Sequence, residues 1–418
     1  MQNRWQFILN RLGEQLWVKP LLMCLVSIAG AFLAATADLL PPRFVPDVSA
    51  DSVETLLKVI SSSMLVIATF AVGSMVSAYA SAGQSATPRS FALVVADDVS
   101  QNALSAFLGA FIFSIVALVA LLNGFYDKSG RFLLFLLARL VLAIVILTFV
   151  RWVDRIARLG RLETTIRIVE RATVRALRYR RRKPRLGGVP AEARSDDARP
   201  VLCDRVGYVQ RIELDELQAL AQAADAHIEI ASQPGTFVRP NRALAYVVFG
   251  PGRADDIDLA EVADAFRIGN ERTFDEDPRF GLVVLSEIAS RALSPGVNDA
   301  GTAIQVVGTL VRILALWGAP LKDDECEDPV FDRVAVQDLS LSDMFDDAFR
   351  AIARDGAGQV EVVEHLLKGL HALSGCAGAM TDVATQHARD ALARAEKALD
   401  AEDDLARVRD IAKACGLD

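Results

Sequence analysis

The sequence has few of the residues that build metal centres and covalent cross-links. It contains five cysteines and four histidines among 418 residues. The cysteines are far apart, none stands in the paired spacing of a zinc or redox site, and their odd number argues against a disulfide framework. We therefore expect no metal site and no cofactor.

Recognised catalytic motifs are also missing from the chain. The sequence contains no Gly-x-Ser-x-Gly nucleophile elbow, no phosphate-binding glycine loop and no dinucleotide-binding fingerprint. The histidines are scattered and do not pair with acids at metal-ligand spacing. This pattern favours a protein that is not an enzyme.

Charge is scarce in the first 153 residues, and long apolar runs take its place. The chain as a whole is 52% hydrophobic, and four runs approach the roughly 20 residues that cross a bilayer core. These runs cover residues 20–40, 56–82, 103–125 and 132–152. The sequence predicts a transmembrane domain of four α-helices over residues 1–153.

The positions of lysine and arginine predict the orientation of these helices. Basic residues precede the first run at Arg4, Arg11 and Lys19, and five arginines follow the fourth between Arg151 and Arg167. Basic flanks mark the cytoplasmic side, so we expect a multi-pass protein with both termini in the cytoplasm. The small residues at 35 and 37 also fit a signal-peptide cleavage site, but the long leader before the apolar run favours a retained helix.

A strongly basic segment follows the fourth run. Between Arg151 and Arg185 there are 13 lysines or arginines and three acids, and residues 154–183 are predicted to form a juxtamembrane helix. Such a segment attracts anionic lipid head groups by about 1 kcal/mol per basic residue. Its attachment to a membrane helix makes lipid, rather than nucleic acid, the expected partner. The simpler interpretation is a topology signal with a solvated helix face.

The remaining chain reads as a cytosolic α+β part. Residues 184–200 are rich in proline, glycine and charge and are predicted to be a linker. Residues 201–250 alternate short strand-like runs with one helix and resemble the barrel-sandwich hybrid of lipoyl-like domains, but they contain no lysine that could carry a cofactor. Residues 251–418 have helical periodicity throughout and predict a helical bundle.

Three polar residues inside the apolar runs are candidates for intramembrane function: Asp38, Arg139 and Ser77. A charge at membrane depth is costly and marks a functional or structural site. Asp38 and Arg139 can pair, either as part of an ion pathway or as a lock between two helices. Ser77 belongs to a row of small residues, Gly73, Ser77 and Ser81, which favours close helix packing or a pore lining.

Two polar segments flank a predicted helix over residues 280–293. The segment before it reads GNERTFDEDPRFG and the segment after it reads RALSPGVNDAGTA. Either Asp275 or Asp277 can cap this helix, and either Asn298 or Asp299 can cap the next one. The rise of 1.5 Å per residue separates the two segments by about 20 Å, which argues against one shared site. The candidate binding residues are Arg272, Thr273, Arg291, Asn298, Asp299 and Thr302.

Several of these motifs together carry a family resemblance. The segments SATPRSFALVVADD, GYVQRIELDELQALA, PGTFVRPNRAL and GNERTFDEDPRFGLVVLSEIASRALSPGVNDAGTA resemble the bacterial DUF2254 family of predicted integral membrane proteins. The resemblance covers nearly the whole chain from the second apolar run onward. It implies a bacterial inner-membrane location and no particular reaction.

Two functions fit this organisation. The first is a homo-oligomeric pore or transport-related protein whose cytosolic domain assembles or gates it. The alternative is a membrane-anchored ligand-binding or signalling module that acts through its cytosolic domain. The small-residue row favours the first, and the polar segments around residues 272–302 favour the second.

Overall fold

The computed structural model describes residues 17–37, 46–85, 87–95, 98–158, 161–191, 197–249, 257–320, 326–376 and 378–417. The chain divides into two compact units, residues 1–165 and residues 166–418. Each unit has its own hydrophobic core, so each is described separately.

The first unit consists of helices in its described part. Their bounds are α1 Val18–Thr36, α2 Ala50–Ser85, α3 Pro88–Val95, α4 Asp98–Leu122 and α5 Lys128–Ile156. Helices α1, α2 and α5 all pack against α4. The core of this bundle includes the fully buried Phe107 and Trp152, whose rings meet edge to face with centroids 6.2 Å apart.

Local sequence explains where these helices end. Helix α4 stops at Gly124, which has a positive φ of 73°, and the amide of Phe125 donates to the carbonyl of Ala120 at 3.0 Å. This is the left-handed helix ending that glycine favours. The hydroxyl of Tyr126 then donates to the carbonyl of Ala31 at 2.8 Å and ties the turn to α1.

Among the described residues, five helices are long and apolar enough to cross a membrane: Val18–Thr36, Ala50–Ser81, Val99–Leu122, Lys128–Ile156 and Ala300–Gly318. The first four coincide with the four predicted apolar runs, and the fifth lies in the second unit. The protein therefore has several apolar helices, as predicted. The count of five candidates differs from the predicted four.

The second unit begins within α6 and combines two sheets with helices. Its elements run α6 Leu162–Arg182, β1 Gly188–Pro190, β2 Arg199–Leu202, β3 Gly207–Ile212, α7 Leu214–Ala223, β4 Ala226–Ile230, β5 Phe237–Val238, β6 Ala243–Phe249, α8 Leu259–Asp264 and β7 Phe266–Gly269. They continue α9 Pro278–Ala292, α10 Ala300–Gly318, β8 Phe331–Val336, α11 Leu341–Asp355, α12 Val360–Ser374, α13 Ala379–Ala398 and α14 Glu402–Ala414.

The strands form a five-stranded mixed sheet and a three-stranded sheet. The larger sheet has the order β1-β8-β4-β6-β2, and the smaller one has the order β5-β3-β7. Strand β8 runs parallel to both β1 and β4, whereas β6 runs antiparallel to β4 and β2. Buried aliphatic residues such as Ile228, Val247 and Val334 fill the core of this region.

The sheets differ from the predicted small β unit in their extent. Strand β1 lies within residues 184–200, which were predicted to be a linker, and β7 and β8 lie within residues 251–418, which were predicted to be helical. Because three strands come from outside residues 201–250, the β-rich part is not a self-contained segment. The parallel β1-β8-β4 arrangement does not confirm a barrel-sandwich-like unit.

The helices that follow the sheets pack on one another. Helix α9 contacts α10 and α11, α12 contacts α10 and α13, and α14 contacts α12 and α13. Their buried faces carry apolar residues at helical spacing, for example Leu285, Ile288 and Ala292 on α9. This packing holds the two ends of α9 in fixed positions.

Candidate functional site

A polar cavity lies where two neighbouring parallel strands end. Its volume is about 420 Å³. The residues after β4 and those after β8 contribute to it together with the start of α9: Ala231, Gln233, Pro234, Gly235, Thr236, Arg242, Arg272, Asp277, Arg279, Gln337, Asp338, Leu339, Ser340 and Asp343. The carboxyl ends of parallel strands are the usual place for a ligand in α/β sheets. We call this space the strand-end cavity.

The turn after β4 approaches the start of α9 closely because it contains glycine. Gly235 has a φ of +90°, and a Cβ atom added there would collide with the carboxylate of Asp277. A residue with a side chain would therefore face both backbone strain and a clash. Gly235 allows the turn to cover Asp277 at the edge of the cavity.

Asp277 combines a local and a long-range role. It is 3% exposed, and its Oδ1 accepts a hydrogen bond from the amide of Phe280 at 3.1 Å, which caps α9. The same carboxylate accepts two hydrogen bonds from Arg272, one from Nε at 2.7 Å and one from Nη2 at 3.0 Å. Asp277, rather than Asp275, is therefore the cap, and it also fixes the predicted candidate Arg272 in place.

Arg272 is further held by an aromatic ring. Its guanidinium carbon lies 5.2 Å from the centroid of the Phe280 ring, a cation–π distance. Its side chain is 19% exposed, and Arg272 is one of the residues that line the cavity. Thr273 follows it in the chain but is not among the lining residues.

Arg279 joins the start of α9 to α11. Its Nε donates to Asp347 at 2.6 Å and its Nη1 donates to Asp343 at 2.7 Å. Burial raises the pKa of the Asp347 carboxyl, against the effect of the neighbouring Arg279. A guanidinium held by two carboxylates has little freedom left to lose when a ligand binds.

A buried arginine supports the cavity from behind. Arg180 of α6 is 3% exposed and donates to Gln233, which in turn donates to the carbonyl of Gln337 at 2.8 Å. This chain of hydrogen bonds connects the turn after β4 to the loop after β8. Burial lowers the pKa of Arg180 to about 10, opposed by nearby Glu276 and Asp338 among others. Arg180 therefore stays charged at neutral pH.

Glu276, beside Asp277 in the chain, faces a different cavity. This second space has a volume of about 240 Å³ and is also lined by Tyr179, Lys183 and Arg211. The Oε2 atom of Glu276 is buried without a hydrogen-bond partner, and its Oε1 lies 3.7 Å from Nε of Arg211. Burial raises the pKa of Glu276 to about 7, although Arg211 opposes this shift.

The other end of α9 is an exposed corner. Asp299 caps α10: its Oδ1 accepts from the amide of Thr302 at 3.0 Å and its Oδ2 accepts from the Thr302 hydroxyl at 2.6 Å. Asn298 has a φ of +50°, and its side-chain oxygen accepts from Gln359 at 3.1 Å. Asp299, rather than Asn298, is therefore the cap, and the predicted polar residues Asn298, Asp299 and Thr302 are used in forming the corner.

Five of the six predicted binding residues lie at these two places, and Thr273 lies outside the cavity lining. Arg272 lines the strand-end cavity, whereas Asn298, Asp299 and Thr302 lie at the corner and Arg291 is exposed in the last turn of α9. The 15 residues of α9 correspond to about 22 Å of helix. The structure therefore keeps the two sets apart, as the helical spacing predicts.

The intramembrane candidates lie in the first unit. Arg139 is exposed on α5, and its guanidinium lies 5.4 Å from the ring centroid of Phe135, one turn earlier. Ser77 is exposed on α2 and lines a surface groove of about 490 Å³ with Gly73 and Ser81. Asp38 lies outside the described residues.

Sequence reasoning missed several residues of the strand-end cavity. Arg242 and Arg279 lie in segments that read only as a turn and a helix start, and Arg180 is one of many basic residues in its helix. One local signal was available: a Pro-Gly turn directly after a strand marks a sharp approach of the backbone. Nothing local indicates which arginine of the basic run is buried.

The polar side chains that line the cavity carry guanidinium, carboxylate, amide or hydroxyl groups. The described lining residues include no histidine, cysteine or lysine. The Ser340 hydroxyl oxygen accepts from the amide of Asp343 at 3.2 Å as the cap of α11. Within the described residues, no group of three or more His, Cys, Asp or Glu side chains is arranged to hold a metal ion.

Comparison with known proteins identifies the family. The model of the predicted membrane proteins called DUF2254 matches residues 13–372. The chain belongs to this family. The match includes the first four apolar helices and the strand-end cavity, and it confirms the resemblance seen in the sequence.

Relatives with partial similarity to the chain occur in mycobacteria. Uncharacterized proteins of Mycobacterium bovis and of Mycobacterium tuberculosis strain H37Rv are each 33% identical over 132 residues. That stretch is 31% of this chain and 25% of each relative, so the matched part spans about a quarter of the length of these relatives. No solved structure matches the chain. The family and the apolar helices make this a predicted membrane protein.

Proposed function

We propose that the protein is a membrane-anchored ligand-binding protein that holds a small polar molecule in the strand-end cavity. The cavity carries this proposal, because it lies at the carboxyl ends of parallel β4 and β8 and is lined by fixed polar side chains. Its volume of about 420 Å³ falls in the range of small-molecule sites. Of the two functions predicted from the sequence, ligand binding by a membrane-anchored protein thus has the stronger geometric support.

The anchor in this proposal is a set of four membrane helices: α1, α2, α4 and α5. The fifth apolar helix, α10, has a mean hydropathy of 1.5, below the 2.0–2.9 of the other four. Its apolar residues, among them Val307, Leu310 and Leu314, are buried where it packs against α9 and α12. These contacts favour α10 as a core helix of the second unit. With four helices, both termini lie in the cytoplasm of a bacterial inner membrane.

Anionic lipid is the second partner that we propose. Five arginines of α6 are exposed and follow one another at helical spacing: Arg167, Arg171, Arg175, Arg178 and Arg182. We call this set the arginine stripe. It supports attraction to anionic head groups, at about 1 kcal/mol for each arginine near the surface. Arg180 and Arg181 are turned to other partners, since Arg181 donates to the carbonyls of Leu316 and Ala319.

The ligand-binding proposal is tested with full-length protein in detergent. Thermal unfolding is measured with a panel of neutral, cationic and anionic small molecules. Thr236→Trp fills the strand-end cavity, and Thr385→Trp on α13 is the matched control outside its lining. We expect at least one compound to raise the Tm of wild type and of Thr385→Trp but not of Thr236→Trp. A panel in which no compound separates the two variants contradicts ligand binding in this cavity.

A pore formed by several copies is the second candidate, and one observation favours it. The small residues Gly73, Ser77 and Ser81 line an open groove on α2, and a Cβ at Gly73 would meet nothing within 4 Å. Small residues at this spacing allow a helix of another copy to pack closely. In planar bilayers we expect conductance from wild type and a loss of it in Ser77→Leu. Absence of conductance at every voltage, tension and pH rules out the pore.

A further inference from the structure

The charges around the strand-end cavity define the class of ligand. We propose that the cavity binds a small oxyanion, a compound bearing a phosphoryl or carboxylate group. This inference rests on the proposed function, because it names the ligand class of the same cavity.

Each acidic residue in the cavity lining is already paired with an arginine. Asp277 accepts from Arg272 as described above. Asp343 lies 2.7 Å from Nη1 of Arg279. The third acid, Asp338, lies 3.0 Å from Nη2 of Arg185. Each of the three carboxylates accepts from an arginine, so the lining presents no unpaired carboxylate to a cationic ligand.

One arginine of the lining remains uncompensated. Arg242 is exposed, and its side chain makes no hydrogen bond or ion pair with any residue that the structure describes. Behind the lining, the buried Arg180 adds a second positive charge and donates to Gln233 of the lining. An unpaired guanidinium beside a polar cavity attracts anions.

The paired arginines retain donors for a ligand. A guanidinium carries five N–H groups. Arg272 uses one on Nε and one on Nη2, and Arg279 uses one on Nε and one on Nη1. Each of these two guanidinium groups keeps three N–H groups that are not used in the bonds to carboxylates, and the carboxylates hold its side chain in place. Such fixed guanidinium groups match the geometry of phosphate and carboxylate oxygens.

The comparison of Arg242 with Arg239 gives a sharp test. Both arginines are exposed in the same loop, and neither makes a side-chain hydrogen bond or ion pair within the described residues, but only Arg242 lines the cavity. Full-length protein in detergent is treated with the arginine reagent phenylglyoxal in the presence of inorganic phosphate, pyrophosphate or citrate. Mass spectrometry then measures modification at the two positions. We expect at least one oxyanion to protect Arg242 and not Arg239.

Titration calorimetry with the same probes supplies the affinity. Arg242→Gln should weaken binding of the protecting oxyanion at least tenfold, whereas Arg239→Gln should change it less than twofold. Pyrophosphate and citrate distinguish a phosphoryl from a carboxylate ligand. Both variants change an exposed side chain by the same charge, so a loss of folding would affect them alike and is checked by circular dichroism.

The remaining outcomes overturn the inference. Equal protection of both arginines, or equal weakening by both substitutions, indicates only general attraction of anions. No binding by any of the three probes also overturns it. The proposed function survives either result if a neutral or cationic compound stabilises wild type and loses its effect in Thr236→Trp. The proposed function fails together with the inference only if no compound raises the Tm of wild type without raising that of Thr236→Trp.

Discussion

The two ends of α9 use the same local device in different surroundings. At the start, Asp277 caps α9, and just past the end, Asp299 caps α10. Asp277 is 3% exposed and bound to Arg272, with a cavity beside it. Asp299 is exposed, and its carboxylate accepts from Thr302 and from the backbone of Gly301, close to it in the chain. The same residue type thus has a purely local role at one end and a tertiary role at the other.

This difference separates structural polar residues from candidate functional ones. A capping carboxylate stabilises a helix by satisfying amides that have no partner in the first turn. Capping alone does not explain a buried ion pair, because removing two charges from water costs free energy. The buried Arg272–Asp277 pair at the start of α9 lies beside the strand-end cavity.

Removal of Asp277 should have the largest effect on stability. Asp277→Ala leaves Arg272 charged, mostly buried and unpaired, and it also removes the cap of α9. Breaking a buried pair costs about 3–5 kcal/mol. The loss is measured by hydrogen exchange of α9 peptides in full-length protein at increasing urea concentration. Asp275→Ala, an exposed neighbour, is the matched control and should change stability by less than about 0.5 kcal/mol. Equal losses of stability in Asp277→Ala and Asp275→Ala would falsify the tertiary role of Asp277.

Glu276 should make the stability of the second unit depend on pH. Its pKa is raised by burial to about 7 in the folded protein, above the ordinary value of about 4.3 in an unfolded chain. Between these values only the folded state keeps the proton, so stability decreases as pH rises through this window. Glu276→Gln has no carboxyl to ionise, so its stability does not decrease for this reason as the pH rises. We expect the variant to gain on the order of 3 kcal/mol relative to wild type between pH 5 and pH 8.

Urea unfolding at the two pH values measures this difference. Glu271→Gln changes an exposed glutamate five positions earlier and serves as the control. It should follow the pH dependence of wild type. If Glu276→Gln also follows wild type, the carboxyl of Glu276 does not titrate in this window.

Removal of Asp299 should have the smallest effect. Asp299→Ala deletes an exposed cap, which costs about 1 kcal/mol, and Asp299→Ser should restore most of it because serine also caps helices. Hydrogen bonds from Thr302 lower the pKa of Asp299. Its contribution is therefore present above the ordinary carboxyl pKa and is lost as the pH falls through the lower folded value. Hydrogen exchange of α10 peptides measures the loss of stability in Asp299→Ala. A loss as large as that of Asp277→Ala would contradict the difference between the two ends of α9.

The first unit shows how well apolar runs predict helices. The second and fourth runs, residues 56–82 and 132–152, lie inside α2 and α5, which extend further at both ends. The helices are longer than the runs because polar residues such as Asp51 and Asp154 continue the helical backbone beyond the apolar part. Hydropathy detects the apolar part of a helix, not its hydrogen-bonded ends.

The β-rich part was harder to predict from the sequence. Strand β1 has three residues and β8 has six, and the two pair in parallel across a long stretch of chain. Short strands are stabilised by their neighbours more than by their own composition. The segment that contains β1 was therefore predicted to be a linker. The strand β8 was missed because the sequence around it has helical periodicity.

The basic run at residues 151–185 illustrates the limit of composition. Its positive charge was evident, but the structure assigns three environments to residues of one helix. Arg178 is exposed, Arg180 is buried beside Gln233, and Arg181 donates to carbonyls at the end of α10. These neighbours decide which charges face solvent and which support the strand-end cavity.

The sequence by itself determined the apolar helices, the polar ends of α9 and the family, because these depend on residues close together in the chain. Only the tertiary structure decided that the loops after β4 and β8 meet Arg272 and Asp277 in one cavity. Gln233 and Gln337, which join those loops, are 104 positions apart. Contacts at such separations follow from how strands pair and helices pack, and no local pattern encodes them.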